Sequence, residues 1–275
     1  MIIWNLFVAL ILGIVEGLTE FAPVSSTGHM IIVDDLLLHS KELFSPQVAN
    51  TFKVVIQLGS ILAVVIVFKD RILGLLGLAK KKADEETGES LSLLKIFVGL
   101  LPAGITGVLF EDYIDEHLFS VKTVVVGLVL GAILMIIADF VRPKKPKAET
   151  VDQVGYKQAF GIGLFQCLGL WPGFSRSGST IAGGVLLGMS HRAASDFTFI
   201  MAVPIMMGAS GISLLKNWEY FSMDALPFFI VGFLAAFVFA LISIRFFLKL
   251  INRIKLVPFA IYRIVIAILI YVLYF

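Results

Sequence analysis

The chain alternates between long apolar segments and short polar loops. Six segments are long enough to cross a hydrocarbon layer about 30 Å thick, which takes roughly 20 helical residues. They lie at about 50–68, 93–110, 121–141, 198–215, 226–248 and 257–275. Since soluble domains contain no such series, the pattern predicts an all-α integral membrane protein with six transmembrane helices.

Two further apolar regions, at about 2–38 and 159–190, are interrupted by polar segments that contain glycine and proline. Each half is too short to span, so we expect two re-entrant helix hairpins that enter and leave the membrane by the same face. Irregular backbone at membrane depth is tolerated only where protein or water satisfies its polar groups. Both interruptions should therefore line a cavity.

The two interrupted regions match each other at an offset of 150 residues. The matched pairs are Gly13 with Gly163, Glu16 with Gln166, Leu18 with Leu168, Ser25 with Ser175, Thr27 with Ser177, and Gly28 with Gly178. If each half holds one hairpin and three spans, it crosses the membrane an odd number of times, and the second half is inverted relative to the first. The pattern therefore predicts an inverted-topology repeat. Chance matching between two apolar stretches rich in glycine and serine is the alternative.

Composition and charge set the organisation of the chain. With 59% apolar and 15% charged residues, residues 1–275 are expected to form one membrane domain. Repeat 1 covers about 1–141, repeat 2 about 159–275, and a basic linker about 142–158. A net charge of +2 argues against a nucleic-acid partner, and the single Cys167 excludes an internal disulfide.

Lysine and arginine residues gather in three loops, at about 69–82, 142–147 and 245–255, which predicts that these loops are cytoplasmic. The acidic segment 111–117 and the nearly uncharged segment 217–225 then fall on the opposite side. If both hairpins are re-entrant, both termini are extracytoplasmic. If either hairpin spans instead, the N-terminus changes sides.

The first interruption, EGLTEFAPVSSTGH, begins at Glu16. Glu16 and Glu20 are one helical turn apart, so both carboxylates face the following turn. A carboxylate at membrane depth costs roughly 3 kcal/mol, which favours a functional role over a solvated pair at the interface.

The turn that follows carries Ser25, Ser26, Thr27 and Gly28, and such a turn can aim backbone N–H groups at an anion. His29 is a candidate base, proton donor or nucleophile. Taken singly, a serine-rich turn is more often a helix cap and a lone histidine is more often structural. The combination in an otherwise apolar region indicates chemistry.

Arg176 is the only charged residue of the second interrupted region. Its fork of donors matches phosphate oxygens, and Ser175, Ser177 and Gly178 beside it suggest an anion cradle. A structural ion pair between Arg176 and an acid of the first interruption is the alternative. Both interpretations can hold in an empty site.

Four segments carry a family resemblance: EGLTEFAPVSSTGHM, QLGSILAV, WPGFSRSGSTI and VPFAIYR. They resemble the undecaprenyl-diphosphatase family, also called bacitracin-resistance proteins, over essentially the whole chain. The resemblance implies hydrolysis of undecaprenyl diphosphate to undecaprenyl phosphate and inorganic phosphate, which recycles the lipid carrier for peptidoglycan synthesis. It also implies a multi-pass protein of the bacterial cell (inner) membrane, with a site open to the extracytoplasmic side.

By motif, the resemblance assigns catalytic roles to Glu16, Glu20, Ser26, His29 and Arg176. Ser26 matches the proposed nucleophile and Arg176 the diphosphate-binding arginine, although His29 stays open as the nucleophile. A divalent cation, Mg²⁺ or Ca²⁺, is expected at Glu16 and Glu20. The expected substrate-binding residues are Ser25, Thr27, Gly28, Ser175, Ser177 and Gly178. The expected partners are an isoprenoid lipid diphosphate and membrane lipid, and a homodimer stays open.

The main alternative is a secondary transporter or lipid flippase, since inverted repeats with broken helices are also the plan of many transporters. A transporter needs no nucleophile, so the hydroxyl and histidine cluster beside paired acids favours an enzyme. Phosphate release by the purified protein in detergent would separate the two.

Overall fold

The computed structural model describes residues 2–43, 46–80, 83–84, 87–118, 120–216, 218–220 and 225–275. This part of the chain is helical, and its one isolated bridge pairs Ala148 with Met189. Most of the loop predicted at 217–225, and Lys81 and Lys82 of the first basic loop, lie outside the described residues.

The helices follow the predicted segments closely. They are α1 (Ile2–Thr19), α2 (Ser26–Met30), α3 (Ser40–Leu43), α4 (Pro46–Val67), α5 (Lys69–Leu75), α6 (Leu93–Leu118), α7 (Val121–Val141), α8 (Tyr156–Leu168), α9 (Arg176–Leu186), α10 (His191–Lys216), α11 (Leu226–Ile254) and α12 (Val257–Tyr274). A π-helical stretch, Ile31–Leu38, continues α2, and single 3₁₀ turns form at Val151–Gln153 and Trp218–Tyr220.

Six of these helices, α4, α6, α7, α10, α11 and α12, are long and apolar enough to cross a membrane, which confirms the predicted spans. Three of them extend well beyond the predicted segment: α6 continues to Leu118, α10 begins at His191 and α11 continues to Ile254, because their polar ends extend the helix beyond the apolar segment. Large apolar side chains point outward, as at Val108 and Phe140, which are 78% and 79% exposed. A lipid environment explains this surface.

Both interrupted regions fold as a helix, a turn and a second helix. The turns occupy residues 20–25 and 169–175. Ser25 and Ser175 end them with the same left-handed backbone, at φ 71° and 73°, and each hydroxyl accepts a hydrogen bond from the N–H three residues on. A positive φ at a non-glycine residue costs about 1–3 kcal/mol, so both turns hold the same strained conformation.

The second hairpin begins and ends beside the same loop. Gln158 Nε2, near the start of α8, donates to Leu187 O just after α9, at 3.3 Å. Lys147 N and Ala148 N both donate to Gly188 O, at 2.6 and 3.3 Å. Both ends of this hairpin therefore lie against the basic segment that follows α7.

The helices of each hairpin pack against spans from the other half of the chain. Helix α1 lies along α11, α8 lies along α6, α9 contacts α7 and α2 contacts α12. Glycines permit the close approach: a Cβ on Gly17 would lie 2.8 Å from Ala240 N of α11, and one on Gly163 would lie 2.8 Å from Pro102 Cδ of α6. Small residues at such contacts are typical of membrane helices.

This packing predicts that Gly17→Ala is destabilising. The added methyl group would overlap the backbone of α11, and overpacking of this kind costs about 1–3 kcal/mol. Gly104→Ala on α6 is the matched control, because a Cβ there meets no atom within 4 Å. In detergent, Gly17→Ala should lower the thermal unfolding midpoint while Gly104→Ala should not. Equal midpoints for the two variants would contradict the close packing of α1 on α11.

Candidate active site

The two turns meet around one cavity of about 270 Å³. It is lined by Glu20, Ser25, Ser26, Thr27, Gln57, Gly169, Leu170, Trp171, Pro172, Gly173, Ser175, Arg176, Ile205, Met206 and Ala209. Hydroxyl, carboxylate and guanidinium groups from opposite halves of the chain therefore share a single cavity, with apolar side chains of α10 as one wall.

The Glu20 carboxylate joins the two turns. Ser26 Oγ donates to Glu20 Oε2 at 2.6 Å, and Arg176 Nη2 donates to Glu20 Oε1 at 3.1 Å. The Arg176 guanidinium also lies over the ring of Phe21, 5.9 Å from its centroid. The carboxylate is thus placed to accept the serine proton, while the guanidinium offsets its charge.

The Arg176 guanidinium has donors that the bond to Glu20 does not use. Its Nη1 is buried and has no hydrogen-bond partner in the described part of the chain. A buried unpaired donor is costly, which favours a ligand oxygen at this place. An anion that entered the cavity would therefore find a guanidinium already oriented beside Ser26.

Glu16 lies one helical turn before Glu20 and is 4% exposed. Its Oε1 is buried and unpartnered among the described residues. The charged groups of Glu20, Arg176 and Lys53 interact electrostatically with the Glu16 carboxyl group. The carboxyl group is therefore held near the cavity with one oxygen still able to bind a proton or a cation.

A divalent cation would have at most these two carboxylates from the described residues, which contain no group of three His, Cys, Asp or Glu suited to a metal. Mg²⁺ is commonly bound by one or two carboxylates together with phosphate oxygens and water, whereas Ca²⁺ takes six to eight oxygens. The orphaned Glu16 oxygen and the neighbouring Glu20 fit Mg²⁺ better.

His29 is not among the residues that line the cavity. Its Nδ1 lies 2.8 Å from Ser25 O, and its Nε2 lies 2.7 Å from the Tyr262 hydroxyl. Because a carbonyl can only accept, Nδ1 carries the proton, and Nε2 of the neutral ring accepts from tyrosine. In this arrangement the imidazole supports the strained backbone at Ser25, and Ser26 bonds to Glu20 instead.

The other predicted binding residues divide into two groups. Ser25, Thr27 and Ser175 line the cavity. Ser177 instead donates to Ala22 O at 3.1 Å and so links the second helix of one hairpin to the turn of the other.

The two glycines of the serine-rich turns have packing roles. A Cβ on Gly28 would lie 3.2 Å from Leu128 Cδ1 of α7, and one on Gly178 would lie 2.8 Å from Arg263 Nη1. Neither glycine is a cavity-lining residue. Their contribution is to let α7 and α12 approach the turns.

Four residues with polar side chains belong to the site and were not among the predicted site residues. Gln57 of α4 lines the cavity, and Trp171 Nε1 fixes the second turn by donating to Thr123 O at 3.0 Å. From α12, Tyr262 contacts His29 of α2 and Arg263 contacts the second turn. All four lie in the segments that carry the family resemblance, and a polar side chain inside an apolar span is the signal that could have revealed Gln57 and Arg263.

Comparisons with known proteins agree with this picture. The family described as Bacitracin resistance protein BacA matches residues 9–269. The chain is 72% identical over 267 residues to a protein of Geobacillus sp. (strain WCH70), with 97% of both chains covered. It is 68% identical over 270 residues to a protein of Bacillus subtilis (strain 168), with 98% of both covered, and 62% identical over 269 residues to one of Exiguobacterium sibiricum, with 97% covered. Each relative is named undecaprenyl-diphosphatase. The resemblance predicted from the motifs is confirmed, and the chain belongs to the bacitracin resistance protein BacA family.

Proposed function

We propose that this protein hydrolyses undecaprenyl diphosphate to undecaprenyl phosphate and inorganic phosphate, which recycles the lipid carrier of peptidoglycan synthesis and provides resistance to bacitracin. Family membership and the names of its close relatives support the reaction. The observation that carries the proposal is the Ser26 hydroxyl bonded to Glu20 beside the Arg176 guanidinium, in a cavity between apolar helices.

In the first step, Arg176 binds the diphosphate and Ser26 Oγ attacks the terminal phosphorus. The serine proton passes to Glu20 Oε2, the atom that already accepts the hydroxyl hydrogen bond. The bond from phosphorus to the bridging oxygen breaks, and undecaprenyl phosphate leaves with the proton that Glu20 returns. Phosphoryl transfer depends mainly on positioning and charge stabilisation, and these three residues provide both.

In the second step, water attacks the phosphorus of the seryl phosphate. Glu20, again ionised, takes a proton from the water, and Ser26 Oγ leaves and recovers a proton. Inorganic phosphate is released and the starting state is restored. Over both steps one water is consumed and one phosphoric anhydride bond is broken.

Glu16 and Glu20 would hold a divalent cation of the kind that the family resemblance implies. The buried, unpartnered Glu16 Oε1 supports this assignment. When bound, the cation would offset charge on the phosphate oxygens. The remaining roles belong to the protein: Arg176 orients the diphosphate, Glu20 moves the proton, and His29 holds the Ser25 carbonyl.

The finer fold proposal is an inverted repeat with two re-entrant hairpins. It is supported by the matching backbone conformation at Ser25 and Ser175. It is also supported by the packing of each hairpin against spans from the other half of the chain. The hydrogen bonds of Gln158 and Lys147 support a second hairpin that enters and leaves at one face.

The cavity is proposed to open to the extracytoplasmic side of the bacterial cell membrane. The second turn reaches the first residues of α7, since Trp171 bonds to Thr123 O. The basic segment 142–147, expected in the cytoplasm, follows the other end of that helix. A site near the outer end would receive the lipid diphosphate from the outer leaflet.

The transporter or flippase alternative is not favoured by the site. A transporter requires no hydroxyl bonded to a carboxylate at the phosphate site, and fold alone does not decide function. The close relatives are named for a phosphatase.

The first prediction tests the reaction and its nucleophile together. The purified protein in detergent, where transport is impossible, should release inorganic phosphate from undecaprenyl diphosphate, and Ser26→Ala should abolish nearly all of that release. Ser195→Ala is the control, because its hydroxyl bonds only within α10, to His191 O. No phosphate release by the parent would refute the enzyme. Near-normal release by Ser26→Ala would transfer the nucleophilic role to another group, with His29 first.

A second prediction concerns the guanidinium fork. Arg176→Lys keeps the charge but loses the planar pair of donors, so the transition state should lose about 2 kcal/mol, or about thirtyfold in kcat/KM. Arg192→Lys is the matched control, since Arg192 pairs with Asp196 on α10. Equal kcat/KM values for the two variants would show that Arg176 does not bind the diphosphate.

Orientation is tested by thiol labelling in a Cys167→Ser background. Lys145→Cys should react with a membrane-impermeant maleimide only after the cells are opened. Glu116→Cys, at a position whose side chain is 79% exposed, should react in intact spheroplasts. The reverse pattern would place the cavity on the cytoplasmic side.

A further inference from the structure

Arg263 of α12 is fully buried and has no carboxylate partner in the described chain. Its Nη2 donates to Gly173 O at 2.9 Å, to Phe174 O at 2.8 Å and to Gly127 O at 3.3 Å. The first two carbonyls belong to the turn directly before Ser175 and Arg176. The buried Arg263 guanidinium therefore binds backbone carbonyls of the turn beside the cavity.

The backbone around this guanidinium leaves room for it. A Cβ on Gly131 of α7 would lie 2.8 Å from Arg263 Cζ, and one on Gly178 would lie 2.8 Å from Nη1. Gly173 itself has φ +90°, a conformation that side chains other than hydrogen disfavour. Gly131 and Gly178, from two different helices, thus accommodate one side chain, whose charge is costly to bury.

The preceding residue, Tyr262, contacts His29 of α2, the helix that follows the first turn. Neighbouring residues on a helix project about 100° apart, so the two side chains can reach different elements. The Tyr262 hydroxyl donates to His29 Nε2, and His29 Nδ1 donates to Ser25 O. Ser25 holds the strained φ of 71° immediately before Ser26.

We propose that Tyr262 and Arg263 act together as a positioning pair, the α12 bridge, that sets helix α2, which begins at Ser26, against the turn that precedes Arg176. The bridge rests on the proposed function and adds two residues to its machinery. Neither side chain lines the cavity, so both act through other residues. The Ser26 and Arg176 side chains can both bond to the Glu20 carboxylate only while α2 and the turn before Arg176 keep their present positions.

The bridge should affect turnover more than substrate binding. Arg176 attracts the diphosphate by charge even when it is slightly displaced, whereas in-line attack by Ser26 requires close alignment. A misplacement of about 1 Å can cost about a hundredfold in rate. A residue that only stabilises the fold would instead lower the folded fraction and leave kcat of the folded protein unchanged.

The test measures kcat, KM and thermal midpoint for Arg263→Lys, which keeps the charge and loses the fork, and for Gly131→Ala, whose methyl group would displace the guanidinium and the Phe174 carbonyl that it binds. Gly104→Ala is the control with no neighbour. Both test variants should lose at least tenfold in kcat, with KM within threefold of the parent. Unchanged kcat in the folded variants, or a loss equal to the loss of folded protein, would overturn the proposal.

The role of Tyr262 in the α12 bridge is tested with a separate control. Tyr262→Phe should lower kcat at least threefold, while Tyr271→Phe, a largely exposed position on the same helix, should leave kcat unchanged. Equal kcat values for the two variants would remove Tyr262 from the bridge.

A measurement without substrate separates failure of the bridge from failure of the phosphatase. In a Cys167→Ser background, Ala22→Cys and Ser177→Cys would join the first turn to α9, where Ser177 Oγ now donates to Ala22 O at 3.1 Å. Gly131→Ala should slow oxidative cross-linking of this pair at least threefold. An unchanged rate would overturn the bridge, and a slowed rate combined with no phosphate release by the unsubstituted parent would leave the bridge standing and refute the function.

Discussion

The Glu20 carboxylate accepts hydrogen bonds from Ser26 and from Arg176, which lies 156 residues away in the sequence. The two donors belong to different hairpins, so the carboxylate is the point at which the halves of the protein become one site. Burial of the Glu20 and Arg176 side chains strengthens their interaction and makes either group costly to leave unpaired. The proposed chemistry uses the same contacts, since the group that orients the serine can accept its proton.

The fold supplies this arrangement by placing irregular backbone inside a bundle of apolar helices. Each turn can exist at membrane depth because partners satisfy its polar groups: the Ser25 and Ser175 hydroxyls cap N–H groups, Trp171 bonds to Thr123, and Arg263 binds two carbonyls. Thr123 and Arg263 come from other helices, α7 and α12. The strained turns therefore depend on the packed tertiary structure.

Histidine 29 illustrates how a motif and its geometry can point to different roles. The motif places the imidazole three residues after Ser26, which suggests a base or nucleophile. In the folded chain both ring nitrogens are engaged, by Ser25 O and by Tyr262, and Ser26 bonds to Glu20. A histidine that holds the turn would still be sensitive to substitution, because its loss would release the backbone that presents the nucleophile.

The sequence by itself determined the six spans, the two interruptions and most of the polar residues around the cavity, because apolar length and the cost of buried charge are local properties of the chain. It also predicted that Arg176 could pair with an acid of the first interruption. Tertiary structure alone decided that the acid is Glu20, that Gln57 lines the cavity, and that Tyr262 contacts α2 while Arg263 contacts the second turn. These outcomes depend on which helix faces come together across the two halves, and that choice is made by glycine contacts such as Gly17 on α11 and Gly163 on α6. The apolar pattern of one segment does not show which other segment it will pack against.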